Sequence, residues 1–207
     1  MQIAVMVAGV IVEGAGWWAV SSGRAYIWRV MPLILAVMGL TAVLARRPVW
    51  AGHVGSFPAL AGGIATGLGL YAATRAFVLV AARWAPFRLQ VVDQYRKVVA
   101  VPFAEAALLS LAVMVPAEEL FWRGLFQGRL AVTFSASAAA GITWIAYTAA
   151  NAPSRSMPLL AGALVGGGLW AALAWWSGGM LASLGSHILW TGLMLAAPPG
   201  AARVART

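Results

Sequence analysis

The chain has 207 residues, 62% of them hydrophobic and only 9% charged, with a mean hydropathy of +0.86 and a formal net charge of +9. That balance excludes an ordinary water-soluble domain, and long apolar stretches without alternation exclude a transmembrane β-barrel. The lack of cysteine excludes disulfides, thiolate nucleophiles and cysteine-held metals, and the positive charge fits arginines at headgroups and cytoplasmic loops better than a nucleic-acid partner.

The expected architecture is all-α: a single integral membrane domain over residues 1–207, a polytopic bundle of about seven spans. The spans are placed near 2–20, 26–45, 58–82, 100–129, 132–151, 157–177 and 179–198. The first, "MQIAVMVAGVIVEGAGWWAV", lacks a basic leading region and reads as a membrane helix, not a cleaved signal. Between the third and fourth spans, "RWAPFRLQVVDQYRKVV" mixes Arg83, Arg88, Arg96 and Lys97 with Trp84, Phe87 and Tyr95, and is expected to lie along the membrane surface as a connector. With seven spans, Arg24, Arg83, Arg88, Arg96, Lys97, Arg155, Arg203 and Arg206 share one side and Arg46, Arg47 and Arg129 the other. The positive-inside rule then puts the N-terminus outside and the C-terminus in the cytoplasm. Basic residues are almost all arginine, and Ala and Gly abound. This codon bias points to a bacterial source and hence to the cytoplasmic membrane. Small residues recur as Gly63 with Gly67, Gly124 with Gly128 and Gly162 with Gly166, spacings that let helix backbones approach within one molecule. The oligomeric state is not legible.

The fourth span holds "PAEELFWRG". An ionised carboxylate at a membrane helix centre costs on the order of 3 kcal/mol, so adjacent Glu118 and Glu119 call for partners or a function. Glu119 and Arg123 are four residues apart, on one helix face, and can pair. Glu118 is rotated by about 100° and free to face a cavity. Pro116 can kink the helix beside them. The same spacing relates Tyr147 to Asn151 and His187 to Thr191. Alone, each of these pairs is read more simply as an interhelical hydrogen bond.

Together, in this order, "EELFWRG", Tyr147-xxx-Asn151 and His187-xxx-Thr191 resemble the signatures of the CPBP family, the CAAX-processing and bacteriocin-self-immunity (ABI) intramembrane proteases. The resemblance covers a core of about residues 101–198. It implies a glutamic-type intramembrane endopeptidase whose substrate is a membrane-anchored or lipidated protein in the bilayer. Carried over, Glu118 would be the general base and Asn151 would position the water. His187 and Thr191 would face the oxyanion, and Glu119 with Arg123 would hold the helix, with Tyr147 in support. The chain departs from the pattern at Asn151, where the family has histidine, and at Thr191, where it has Asn or Asp. Family members have been described as metalloproteases. With one imidazole in the spans and no cysteine, the expectation here is no metal and no cofactor.

Two other readings compete: a non-catalytic scaffold or immunity protein, favoured by the two departures, and a small transporter using Glu13, Arg29, Arg75 and Glu105 as a relay. Those four are expected at interfaces or in interhelical pairs. Geometry poses a further question. A straight fourth span would leave Glu118 and Asn151 at different depths, so their meeting requires a break after Gly124, a re-entrant segment, or a short fifth span.

Overall fold

The computed structural model describes residues 1–200, which form eight helices and no strand; Arg203 and Arg206 lie outside the described residues. In chain order the helices are α1 (Gln2–Ser21), α2 (Ile27–Ala45), α3 (Ser56–Ala81), α4 (Ala85–Val98), α5 (Phe103–Leu130), α6 (Ala136–Asn151), α7 (Met157–Ser177) and α8 (Leu181–Ala196). Helices α1, α2, α3 and α7 are each long and apolar enough to cross a membrane. Helices α4 and α5 meet that test only as a pair, bent by 104° between them, and α8 is a shorter apolar helix. The architecture is an all-α membrane bundle.

The outer surface is apolar, as lipid requires, and the few charged residues near mid-span turn inward among a mostly apolar core. On α1 the exposed face carries Ile3, Val7 and Ile11, while Met6, Glu13 and Trp17 turn inward. The same inversion puts Glu118, Glu119, Arg123, Gln127, Asn151, Ser186 and His187 among the buried residues. Around them sits an aromatic core of Trp17, Phe121, Trp122, Tyr147 and Trp170.

Helix α5 runs unbroken through Gly124, so the connection is made without a break there. It contains two π-helical stretches, Leu108–Met114 and Leu120–Gln127, on either side of Val115–Glu119. Proline lacks an N–H and crowds the carbonyl four residues back. The π stretch ending at Met114 absorbs that mismatch, so a local widening replaces the expected kink at Pro116. Asn151 reaches the level of Glu118 because α6 is short. Helix α6 has 16 residues, about 24 Å at 1.5 Å per residue, against a hydrocarbon core of roughly 30 Å. Ser135 caps its start, accepting from Ala138 N at 3.2 Å, and its far end stops at the level of Glu13.

The glycine pairs divide. Side chains at Gly63 and Gly67 would run into backbone atoms of Ala182 and Ser186 at 2.5 and 2.9 Å, so α3 and α8 touch backbone to backbone. The pairs Gly124/Gly128 and Gly162/Gly166 make no such crossing. They border cavities instead, which corrects the expectation for those two.

Helix α4 is amphipathic: Phe87, Val91 and Tyr95 bury one face against Val78, Met157 and Met194, while Arg88 and Arg96 stay exposed. It crosses the ends of its neighbours. Gln94 Nε2 donates to Ser156 Oγ at 2.9 Å, and the Lys97 carbonyl accepts from Trp28 Nε1 at 2.7 Å. Ser21 Oγ donates to the Pro153 carbonyl at 2.9 Å. These bonds gather Arg24, the α4 basic residues and Arg155 at one end of the bundle. At the other end, Leu181 N donates to the Trp50 carbonyl at 2.8 Å and Gln2 Nε2 to the Ala45 carbonyl at 2.9 Å.

Candidate active site

The two adjacent glutamates face different surroundings. Glu119 is fully buried, and a single oxygen, Oε1, accepts from Arg123 Nη1 at 3.2 Å and from His187 Nδ1 at 2.9 Å. Arg123 continues to the Gly167 carbonyl through Nη2 at 3.1 Å, and its guanidinium lies 5.0 Å from the Tyr147 ring and 5.7 Å from that of Trp170. One arginine therefore ties α5 to α6 and α7. Gly167 permits the close fit, because a Cβ there would meet Tyr147 Cδ1 at 2.5 Å.

Glu118 instead lines a cavity of about 300 Å³, together with Tyr147, Asn151, His187 and Thr191. The structure thus brings four of the six remaining sequence-selected residues to the cavity wall beside Glu118, and the other two, Arg123 and Glu119, stand directly behind it. His187 Nε2 is 3.7 Å from Glu118 Oε2. With Nδ1–H donating to Glu119, the imidazole turns Nε2 toward Glu118 and the cavity. Nε2 accepts when the ring is neutral and donates when it is protonated. Trp170 stacks on this ring, with centroids 3.5 Å apart and planes 18° from parallel, so His187 is held by its edge and by its face.

Two participants fall outside the motifs. Trp170 carries no local signal that sets it apart from the other tryptophans. Glu13 does carry one, being an acid inside a predicted span, expected at an interface or in an interhelical pair. The interhelical pair is what forms: Glu13 is fully buried, where Oε2 accepts from Trp122 Nε1 at 3.0 Å and Oε1 from Asn151 Nδ2 at 3.3 Å. Its expected relay companions lie elsewhere. Arg29 and Glu105 are exposed in the first turns of α2 and α5, and Arg75 contacts Tyr71 Oη at 3.2 Å.

An apolar cavity of about 260 Å³ lies between α3, α4, α7 and α8, lined by Leu70, Phe77, Phe87 and Val91 among others. It shares Gln94, Tyr95, Pro158, Gly162, Trp190 and Met194 with the wall of the Glu118 cavity. Among the described residues no group of three His, Cys, Asp or Glu side chains is arranged to hold a metal ion.

Residues 100–193 match the family described as Type II CAAX prenyl endopeptidase Rce1-like. Over that segment the chain is similar to the CAAX-type prenyl endopeptidases, and the matched residues include every motif residue from Glu118 to Thr191. No curated protein and no solved structure matches the chain.

Proposed function

We propose that the protein is a glutamic-type intramembrane endopeptidase that hydrolyses a peptide bond of a membrane-anchored or lipidated protein. The observation that carries this reading is the division between the glutamates: Glu119 is engaged by Arg123 and His187, whereas Glu118 faces the cavity. Water held between Glu118 and Asn151 gives a proton to the Glu118 carboxylate as its oxygen attacks the scissile carbonyl. The tetrahedral oxyanion faces Thr191 Oγ1 and a protonated His187 Nε2, with Glu119 as the imidazolium's counterion. Donors fixed in a water-poor cavity stabilise that charge strongly. Glu118 then returns the proton to the leaving amine as the C–N bond breaks. The apolar cavity joined to the site supports an acyl-like or apolar segment of the substrate lying beside the bond to be cut. By the positive-inside rule, the basic end into which the site opens faces the cytoplasm of a bacterial cell.

The donor set favours chemistry without a metal, since the spans hold one imidazole and no thiolate, and among the described residues no three His, Asp or Glu side chains are arranged around an ion. Purified enzyme is expected to keep its cleavage rate within about twofold in a strong chelator; loss of activity restored by zinc would contradict this. A second reading, a non-catalytic scaffold or immunity protein, is favoured by Asn151 and Thr191. The two separate when the protein is expressed with membrane substrates encoded near it and cleavage is mapped for wild type and Glu118→Gln at equal membrane levels. Cleavage that disappears in the variant supports the protease. A biological function that survives Glu118→Gln supports the scaffold.

A further inference from the structure

Asn151 is the only asparagine in the chain, and its carboxamide is held from one side. The Nδ2 group donates to Glu13 Oε1 at 3.3 Å and to the Tyr147 carbonyl at 3.0 Å. A carboxamide has two N–H donors and one acceptor oxygen. With both donors directed into protein, Oδ1 is the atom left for the cavity that Asn151 lines. Rotating the amide by half a turn would keep its shape but reverse that polarity, presenting N–H groups to the cavity. Glu13 opposes the rotation, because a carboxylate oxygen accepts from Nδ2 and repels Oδ1. Glu13 is fully buried and does not itself line the cavity, so it acts only through Asn151.

We propose that Glu13 is a positioning residue that fixes Asn151 with its carboxamide oxygen toward the cavity, where it accepts a hydrogen bond from the attacking water. This rests on the reading of Asn151 as the water-holding group. One O–H of the water then points at Asn151 Oδ1 and the other at Glu118, leaving an oxygen lone pair for the carbonyl. Glu119 does the equivalent for His187, so each polar head in the site has its own carboxylate behind it. Glu13 comes from α1, outside the matched segment 100–193, which makes the first helix part of the site. Glutamine cannot substitute: Glu13 accepts from Trp122 with one oxygen and from Asn151 with the other, whereas a carboxamide has a single acceptor.

The lone asparagine supplies a readout that needs no substrate. Protein labelled with [15N]asparagine gives one side-chain NH2 group in an NMR spectrum. In wild type its two protons are expected to be well separated and slow to exchange. Glu13→Gln is expected to move the pair and speed exchange at least about tenfold, with loss of the bond to a charged acceptor. Glu13→Asp, which keeps the charge but withdraws it by one methylene, is expected to show the same change should the Gln variant fail to fold. On a cleaved substrate, Glu13→Gln is expected to lower kcat about 10- to 100-fold with KM held within about twofold. In an Asn151→Ala background it should cause no further loss. An unmoved amide pair in both variants, or a loss that multiplies in the Asn151→Ala background, would overturn the proposal. If Glu118→Gln leaves cleavage intact, the protease reading fails, while the amide signal still decides whether Glu13 orients Asn151.

Discussion

Glu119 holds the site together through one oxygen. Because Oε1 accepts from both Arg123 and His187, Glu119→Gln leaves a buried guanidinium without its counterion, a loss of about 3–5 kcal/mol in comparable buried pairs. It is expected to lower the thermal midpoint in detergent and reduce membrane levels. Glu118→Gln, on the cavity wall, is expected to leave the midpoint near that of wild type. Thermal unfolding followed by tryptophan fluorescence separates the two. Trp170 acts on the same ring as Glu119 but through its face, stacked 3.5 Å from His187. Trp170→Leu frees the imidazole to leave its plane, and should lower the cleavage rate by about 100-fold or more if His187 meets the oxyanion. A Trp170→Phe variant, which retains a stacking surface, should recover most of that loss.

Among the elements, α5 depends on its packing against α2. A Cβ at Gly39 would lie 2.8 Å from Ala117 Cα, directly before Glu118. Gly39→Ala must therefore push the motif helix away, with an overpacking cost of about 1–3 kcal/mol and a fall in activity larger than the fall in stability explains. Gly69→Ala, with open space around it, is the matched control, expected to change neither midpoint nor rate. Much at this scale was legible in the sequence. Apolar run lengths located the helices, and the spacing of Glu119 and Arg123 named a pair that survives although Arg123 lies in a π-helical stretch. The depth of Asn151 was not legible, because it depends on where α6 stops, and a boundary a few residues away moves that side chain by several ångströms. Nor was Glu13's partner: the bond joins residues 138 apart in sequence, and helical periodicity says nothing of contacts between helices.

The whole molecule carries Arg46, Arg47 and Arg129 at one end and most of its basic residues at the other, the end where the cavity meets α4. If that end is cytoplasmic, a cysteine at Ser22 or Arg155 should be shielded from an impermeant thiol reagent in intact cells, and one at Arg47 or Thr133 labelled. The chain contains no cysteine of its own, so each signal belongs to one site. The reverse pattern would turn the substrate side around without moving the site. The central claim is that Glu118 activates water, and it is tested most directly by reconstituting wild type and Glu118→Gln in liposomes with a cleaved substrate and measuring kcat/KM at matched thermal midpoints. A loss of about 10³-fold or more in the variant is the expected result, as for removal of an essential catalytic base. Cleavage within about tenfold of wild type would show that another group activates the water.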